Sequence, residues 1–322
     1  MKLSSTYKFL TDDLNKIELE LLETIQAEHP VLRAASTQLL KAGGKRIRPV
    51  FVLLSAKLGE YNFEQIKHVA VALELMHMAS LVHDDVIDDA NIRRGKHTVN
   101  AKWDNRVAMY TGDYIFARSL EILAKIDNPK AHQQLSNTIV ELCLGEIEQL
   151  KDQYNVDQNL RTYLRRIKRK TALLIASSCR LGAIVSNLEP KYEKALFRYG
   201  YYLGMSYQII DDILDFTASE KELGKPAGSD LKQGNITLPV LYQLSDPNFK
   251  EHLEHAFQRA NIDNENLEAI IKIIKESPSI KQAYQLSENY LQKAEKELSI
   301  FPVNQATVAL KDIAKYIGSR TF

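Results

Sequence analysis

Two acidic pentads, Asp84-Asp85-Val86-Ile87-Asp88 and Asp211-Asp212-Ile213-Leu214-Asp215, stand more than a hundred residues apart, each ending a stretch with helical apolar spacing. In each, the outer aspartates are four residues apart, so their side chains leave successive turns of one helix face and can share cations. Carboxylates directed into a helix bundle need neutralising, since an unpaired buried charge costs roughly several kcal/mol after relaxation. All-oxygen donors with room for water and substrate suit Mg²⁺, which favours one or two carboxylates plus phosphate oxygens over a closed protein cage. Asp84, Asp88, Asp211 and Asp215 are therefore the candidate metal ligands, and Asp85 and Asp212 complete two candidate catalytic clusters. Cations occur in Gly43-Gly44-Lys45-Arg46-Ile47-Arg48-Pro49, Arg93-Arg94-Gly95, Lys170-Thr171 and Lys225. Acid, metal and base together point to polyphosphate binding, and two acidic clusters with separate basic groups fit two different diphosphates.

Helices must position these groups. Counting back from Asp88 and Asp84 by helical spacing gives Leu81, Ser80, His77, Leu73, Ala70, Val69 and Ile66, an apolar face that turns acidic in its last turns. From Asp215 the same count gives Asp212, Asp211, Gln208, Met205, Gly204 and Tyr201. The periodicity predicts helices over about 6–29, 31–42, 49–58, 63–90, 106–126, 129–151, 160–186, 190–216 and 237–244, with more from 247 onward. Asn62, with Gln65 three residues on, reads as an N-cap with its capping-box partner. Loops are expected at 43–44, 91–97 and 221–235, and the C-terminal third is assigned to packing or assembly.

The chain of 322 residues is 45% hydrophobic, with nine prolines, 13 glycines and no strand-like alternation, which implies an all-α fold and one domain over 1–322. Lys plus Arg number 42 against 41 Asp plus Glu, so no net field draws the protein to nucleic acid. Cys143 and Cys179 lack metal-type spacing, the opening residues lack the apolar run of a signal peptide, and no stretch reaches the ~20 apolar residues of a membrane span. A reducing, cytoplasmic setting is expected. Taken singly, each motif has a plainer reading: acidic pairs on helices are commonly solvated surface, Gly-Gly-Lys-Arg is a turn before a basic helix start, and His77 is a core histidine. Their coincidence on apolar faces argues for chemistry.

The two DDxxD pentads, GGKRIRP upstream, RRG after the first pentad, Lys-Thr between the pentads and LGKPAGSDL after the second resemble the trans-isoprenyl (polyprenyl) diphosphate synthases across nearly the whole chain. That resemblance implies an isoprenoid-synthase-type helical bundle around a central cavity, with three Mg²⁺ held between facing pentads on an allylic diphosphate. It carries isopentenyl diphosphate binding to Lys45, Arg48, His77 and Arg94, and allylic diphosphate binding to Arg93, Lys170, Thr171, Gln208 and Lys225. Many relatives have a lysine where this chain has Asn235. The implied reaction is head-to-tail condensation: the allylic C–O bond ionises, the terminal alkene carbon of isopentenyl diphosphate attacks, and proton loss leaves a chain one isoprene longer. In shorter-product relatives an aromatic residue before the first pentad closes the path of the growing tail. Here Ala79 and Ser80 stand there, with Met76 deeper, so a long product is expected.

Residues 77–85 and 228–231 are most similar to the larger, aspartate-bearing components of bacterial heptaprenyl diphosphate synthases, which work with a small noncatalytic subunit and supply the menaquinone side chain. The alternatives are a homodimeric synthase of hexaprenyl to decaprenyl chains and a noncatalytic subunit of the same fold; intact pentads argue against the second.

Overall fold

Scarce helix breakers and long apolar periodicity leave the chain almost no other backbone than helix. The computed structural model describes residues 3–93, 95–218, 227–258 and 264–320. Among them the β structure is one two-residue ladder, Ile92–Arg93 (β1) antiparallel to Lys96–His97 (β2), with Ile92 opposite His97 and Arg93 opposite Lys96. It occupies a segment expected to be loop. The chain forms two compact units: Met1–Asn137, Ile175–Phe197 and Leu298–Ile313 in the first, Thr138–Leu174, Arg198–Glu297 and Ala314–Phe322 in the second.

In the first unit the helix Phe63–Ile87 is the axis. Its 25 residues span roughly 37 Å at 1.5 Å per residue. The face predicted from sequence is buried at Ile66, Val69, Ala70 and Leu73, but so are Val71, Ala72 and Leu75. Burial here runs all round rather than along one stripe, as suits a helix wrapped by others. It packs chiefly against Asn105–Leu123, with Ile47–Ala56 and Thr11–Thr24 beside it. At Gly112 a Cβ would come within 2.3 Å of His83 Nε2, so a larger residue there would displace the His83 ring next to the first pentad. Asn62 is the N-cap, yet its side chain makes no cap hydrogen bond, contrary to the capping-box expectation.

In the second unit, the end of the helix Pro190–Thr217 is embedded in apolar packing. Ile209, Ile213 and Leu214 meet Tyr163, Ile167, Leu238 and Ala283, while Phe216 joins Leu231, Ile236, Phe249 and Leu253. The C-terminal helices Pro247–Gln258 and Ser279–Glu297 supply part of this core. Ser287 and Ser206 share a buried hydrogen bond of 2.8 Å, and Glu297 takes a two-pronged ion pair from Arg198. The helix expected over 160–186 is interrupted: Leu160–Ile167 passes through a π-helical turn, Lys168–Ala172, before Leu173–Val185.

Candidate functional site

The first acidic cluster ends the helix Phe63–Ile87, whose C-cap is Asp88. Asp84 and Asp88 are half-buried, whereas Asp85 is only 2% exposed. Asp85 is held by Arg93, whose Nε lies 2.5 Å from its Oδ1. Burial raises the Asp85 pKa, and the Arg93 charge opposes that shift. Arg93 reaches it from β1, and the hairpin turns at Gly95 with φ of +72°. The hairpin is moored to the helix Pro30–Lys41: Lys96 donates to the Lys41 carbonyl at 2.8 Å, and Gln38 donates to the His97 carbonyl at 3.0 Å. Leu39, Ala42, Leu81, Asp85, Arg93 and Thr98 line a small hollow there. Arg93, expected on a diphosphate, thus has a carboxylate partner in its own unit. Arg94 lies outside the described residues.

The helix Pro30–Lys41 leads directly into the basic segment. Gly43, at φ +82°, turns the chain out of the helix, a conformation that costs glycine no Cβ clash. Lys45 is exposed and Arg48 half-buried. Between them Arg46 adopts φ 45° and ψ 39°, left-handed backbone that costs a non-glycine residue about 1–2 kcal/mol, and caps the helix Ile47–Ala56. Its guanidinium forks onto Glu18 at 2.7 and 2.9 Å, donates to the Leu40 carbonyl at 3.1 Å and lies 3.3 Å from Glu74. His77, half-buried, lies on the first aspartate helix with Ser80 Oγ donating to its carbonyl at 2.9 Å. Met76 and Ala79 are buried at 3% and 2% exposure, and Ser80 is half-buried.

The second acidic cluster is built differently. Asp211 is half exposed, with Arg320 Nη2 3.8 Å from its Oδ1. Asp212 is 3% exposed and accepts from Tyr163 Oη at 2.7 Å and from Gln208 Nε2 at 2.8 Å. Thr171 Oγ1 in turn donates to Gln208 Oε1 at 2.6 Å, so Thr171, Gln208, Asp212 and Tyr163 form one hydrogen-bonded chain. Burial pushes the Asp212 pKa up to about 7, with the Tyr163 hydrogen bond working the other way. Asp215 is fully buried, and its oxygens accept from Ser229 Oγ at 3.1 Å and the Asp230 amide at 3.3 Å. Asp211 and Asp215, four apart on one helix, thus differ in exposure: one opens to solvent, the other is engaged by the segment that follows the helix. Lys170 and Thr171 sit in the π turn, a distortion that often marks functional sites. Lys170 Nζ is 3.1 Å from Glu146. Gly204 lets its helix approach the turn closely, since a Cβ there would meet Ala172 Cα at 2.6 Å. Lys225 lies outside the described residues. Asn235 Nδ2 aside, its Oδ1 is buried without a hydrogen-bond partner among the described residues.

Among the described residues no three His, Cys, Asp or Glu side chains gather into a ready-made cage. Carboxylate oxygens that leave most of the shell to water and phosphate fit Mg²⁺ better than zinc. Sequence reasoning missed Arg46, Glu74 and Tyr163. Arg46 was visible inside GGKRIRP, but nothing in its type or spacing separates it from Lys45 and Arg48, and Tyr163 reads simply as a core aromatic.

A model of the polyprenyl synthetase family matches residues 29–274. The chain is 60% identical along its full length to heptaprenyl diphosphate synthase component 2 of Bacillus subtilis (strain 168), covering 92% of that protein. It is 58% identical to the component 2 of Geobacillus stearothermophilus, with 100% of both covered. The crystal structure of heptaprenyl diphosphate synthase from Staphylococcus aureus matches with a TM-score of 0.93 at 45% identity, over 97% of this chain and 98% of that one. A Caulobacter crescentus CB15 polyprenyl synthase, complexed with calcium and isoprenyl diphosphate, matches with a TM-score of 0.95 at 30% identity, over 99% and 98%. These neighbours carry the all-α isoprenoid-synthase fold, and with the family model spanning most of its length the chain belongs to the polyprenyl synthetase family, as a trans-polyprenyl diphosphate synthase.

Proposed function

We propose that this chain is the catalytic component of a heptaprenyl diphosphate synthase, acting as one domain and extending an allylic diphosphate with isopentenyl diphosphate in the cytoplasm to supply a menaquinone side chain. The observation that carries the reading is the full-length likeness to two component 2 proteins, with both pentads intact. Asp84, Asp88 and Asp211 would hold Mg²⁺, expected as three ions per site, and Asp215 would support them through Ser229 and the Asp230 amide. Bound there, the metal supplies Lewis-acid withdrawal of charge from the allylic leaving group.

The protein's own groups do the rest. Lys170, Thr171, Gln208, Arg93 and Lys225 orient the allylic diphosphate, and the Thr171–Gln208–Asp212–Tyr163 chain holds Gln208 with its carbonyl toward Thr171. Lys45, Arg48, His77 and Arg94 anchor isopentenyl diphosphate so that its alkene carbon meets the ionised allyl group. Apolar walls that exclude water protect the cation from quenching. Met76, Ala79 and Ser80 offer no aromatic stop, which favours a long product.

A partner chain is part of the proposal. Val140, Leu144, Ile147 and Leu150 are 57, 41, 64 and 47% exposed and recur at helical spacing on one face of Pro129–Asp152. An apolar stripe of that kind suits burial by another subunit. A small noncatalytic subunit is the proposed occupant, with a second copy of this chain as the alternative. No helix among the described residues is long and apolar enough to cross a membrane.

The test is mass spectrometry of the product made by the purified chain with and without candidate small subunits. C35 product only in the mixture is the expected result. Full activity of the chain alone would replace the heterodimer by a homodimer, and no prenyl transfer in any combination would remove the enzyme assignment.

A further inference from the structure

We infer that Arg46 is a positioning residue for isopentenyl diphosphate, a half-buried clamp that sets the backbone between Lys45 and Arg48. This rests on the reading of Lys45 and Arg48 as ligands of that substrate. The side chain is 14% exposed and gathers three elements at one point: Glu18 on the helix Thr11–Thr24, the Leu40 carbonyl at the end of Pro30–Lys41, and Glu74 on the first aspartate helix. Glu74 is 4% exposed on its side chain, and among the described residues its Oε2 is buried without a hydrogen-bond partner while its Oε1 is paired with Arg46. Two carboxylates around one guanidinium leave a net negative charge beneath a segment whose flanking residues are basic.

The backbone explains why the clamp is needed. Left-handed conformation at a side chain as large as arginine persists only where the surroundings over-determine it. Here the fork on Glu18 and the Leu40 carbonyl supply that determination. The twist at Arg46 ends the Gly43-Gly44-Lys45 run and starts the helix at Ile47, which puts Arg48 in its first turn. Release of the fork lets the run before Ile47 relax, and the separation of Lys45 from Arg48 changes with it. Lysine cannot replace the fork, since an ammonium is a point charge without the planar pair of donors.

Steady-state kinetics of the active assembly, with the small partner wherever the product assay requires one, test this in Arg46→Lys and Arg46→Gly. Glycine removes the backbone strain along with the clamp, so it separates the two. The expected result is a KM for isopentenyl diphosphate raised about tenfold or more in both, the equivalent of about 1.4 kcal/mol of lost binding, with the allylic KM changed by less than about twofold. A near-normal Arg46→Gly would show that the backbone twist, not the clamp, matters and would overturn the inference; so would a parallel rise in both KM values. Should Arg46→Gly fail to fold, Glu18→Gln loosens the fork from its half-exposed end, and an unchanged KM there is equally fatal. Lys45→Ala and Arg48→Ala run alongside: if they leave that KM unaltered, the substrate assignment fails, independently of the clamp.

Discussion

The two pentads share a five-residue pattern and almost nothing else. In the first, the residues between the aspartates are only partly covered: Val86 is half-buried against Val82 and its neighbours, and Ile87 is 47% exposed. In the second, Ile213 and Leu214 are core residues at 0 and 2% exposure. The middle aspartate is buried in both, but Asp85 is paired with a cation, Arg93, while Asp212 is paired with neutral donors, Tyr163 and Gln208. The last aspartate reverses too: Asp88 caps its helix half-buried, whereas Asp215 is sealed in by Ser229 and the Asp230 amide. A motif therefore specifies where acid must be, while the packing around it decides which acids remain open to ligands.

The largest effect should fall on the aspartates open to ligands in either cluster. Asp84→Ala and Asp211→Ala are each expected to lower turnover by at least about 10²-fold, the scale of losing a principal electrostatic stabiliser of the leaving group. Turnover at saturating Mg²⁺ measures it, and near-normal rates in either variant would break the assignment of both clusters to metal.

The middle aspartates should differ in pH dependence. Burial pushes the Asp212 pKa up to about 7 from an ordinary 3.8, so between those values the folded protein keeps a proton that the unfolded chain has lost. Stability must then fall as pH rises across that window and level off above it, since the state binding more protons is disfavoured by their removal. Asp212→Asn removes that slope, with a difference of roughly a few kcal/mol at about 1.4 per pKa unit. Metal-free melting curves from pH 4.5 to 8 check this, and parallel curves for the two proteins would refute it.

The last aspartates should separate stability from metal affinity. Asp215→Ala leaves the Asp230 amide and the Ser229 hydroxyl without their acceptor inside the protein, a cost of about 1–3 kcal/mol each when buried. Asp88→Ala should instead raise the Mg²⁺ concentration that the rate requires, with a smaller loss of melting temperature. Equal melting losses would erase the contrast.

Much of this was legible in the residues. The helical fold followed from scarce breakers and long periodicity, and the axis helix, expected over 63–90, starts where expected at Phe63 but ends three residues early at Ile87. What stayed hidden depends on tertiary packing. Asn62 has the right type for a cap but makes no cap hydrogen bond, and the π turn carries Lys-Arg-Lys-Thr-Ala, with no glycine or proline to announce it. Asp211 and Asp215 have identical side chains at helical spacing, so only the returning segment around Ser229 distinguishes them.

The smallest effect belongs to Tyr163, which touches the second cluster only through Asp212. Tyr163→Phe keeps the ring in its fully buried site and deletes one hydroxyl, so its fold cost should be about 1 kcal/mol. Without that donor Asp212 retains only Gln208, and the amide of Gln208 is held less firmly against Thr171. The allylic KM should rise a few-fold, roughly the equivalent of 1 kcal/mol, while that for isopentenyl diphosphate stays put, because its proposed ligands belong to the first unit. The first cluster has no counterpart to this response: its middle aspartate is held by a charge, and Arg93→Gln should disturb it far more than the loss of a neutral hydroxyl disturbs Asp212. Equal sensitivity of the two variants would mean that the difference in partners, cation against phenol, has no bearing on how either cluster holds its substrate.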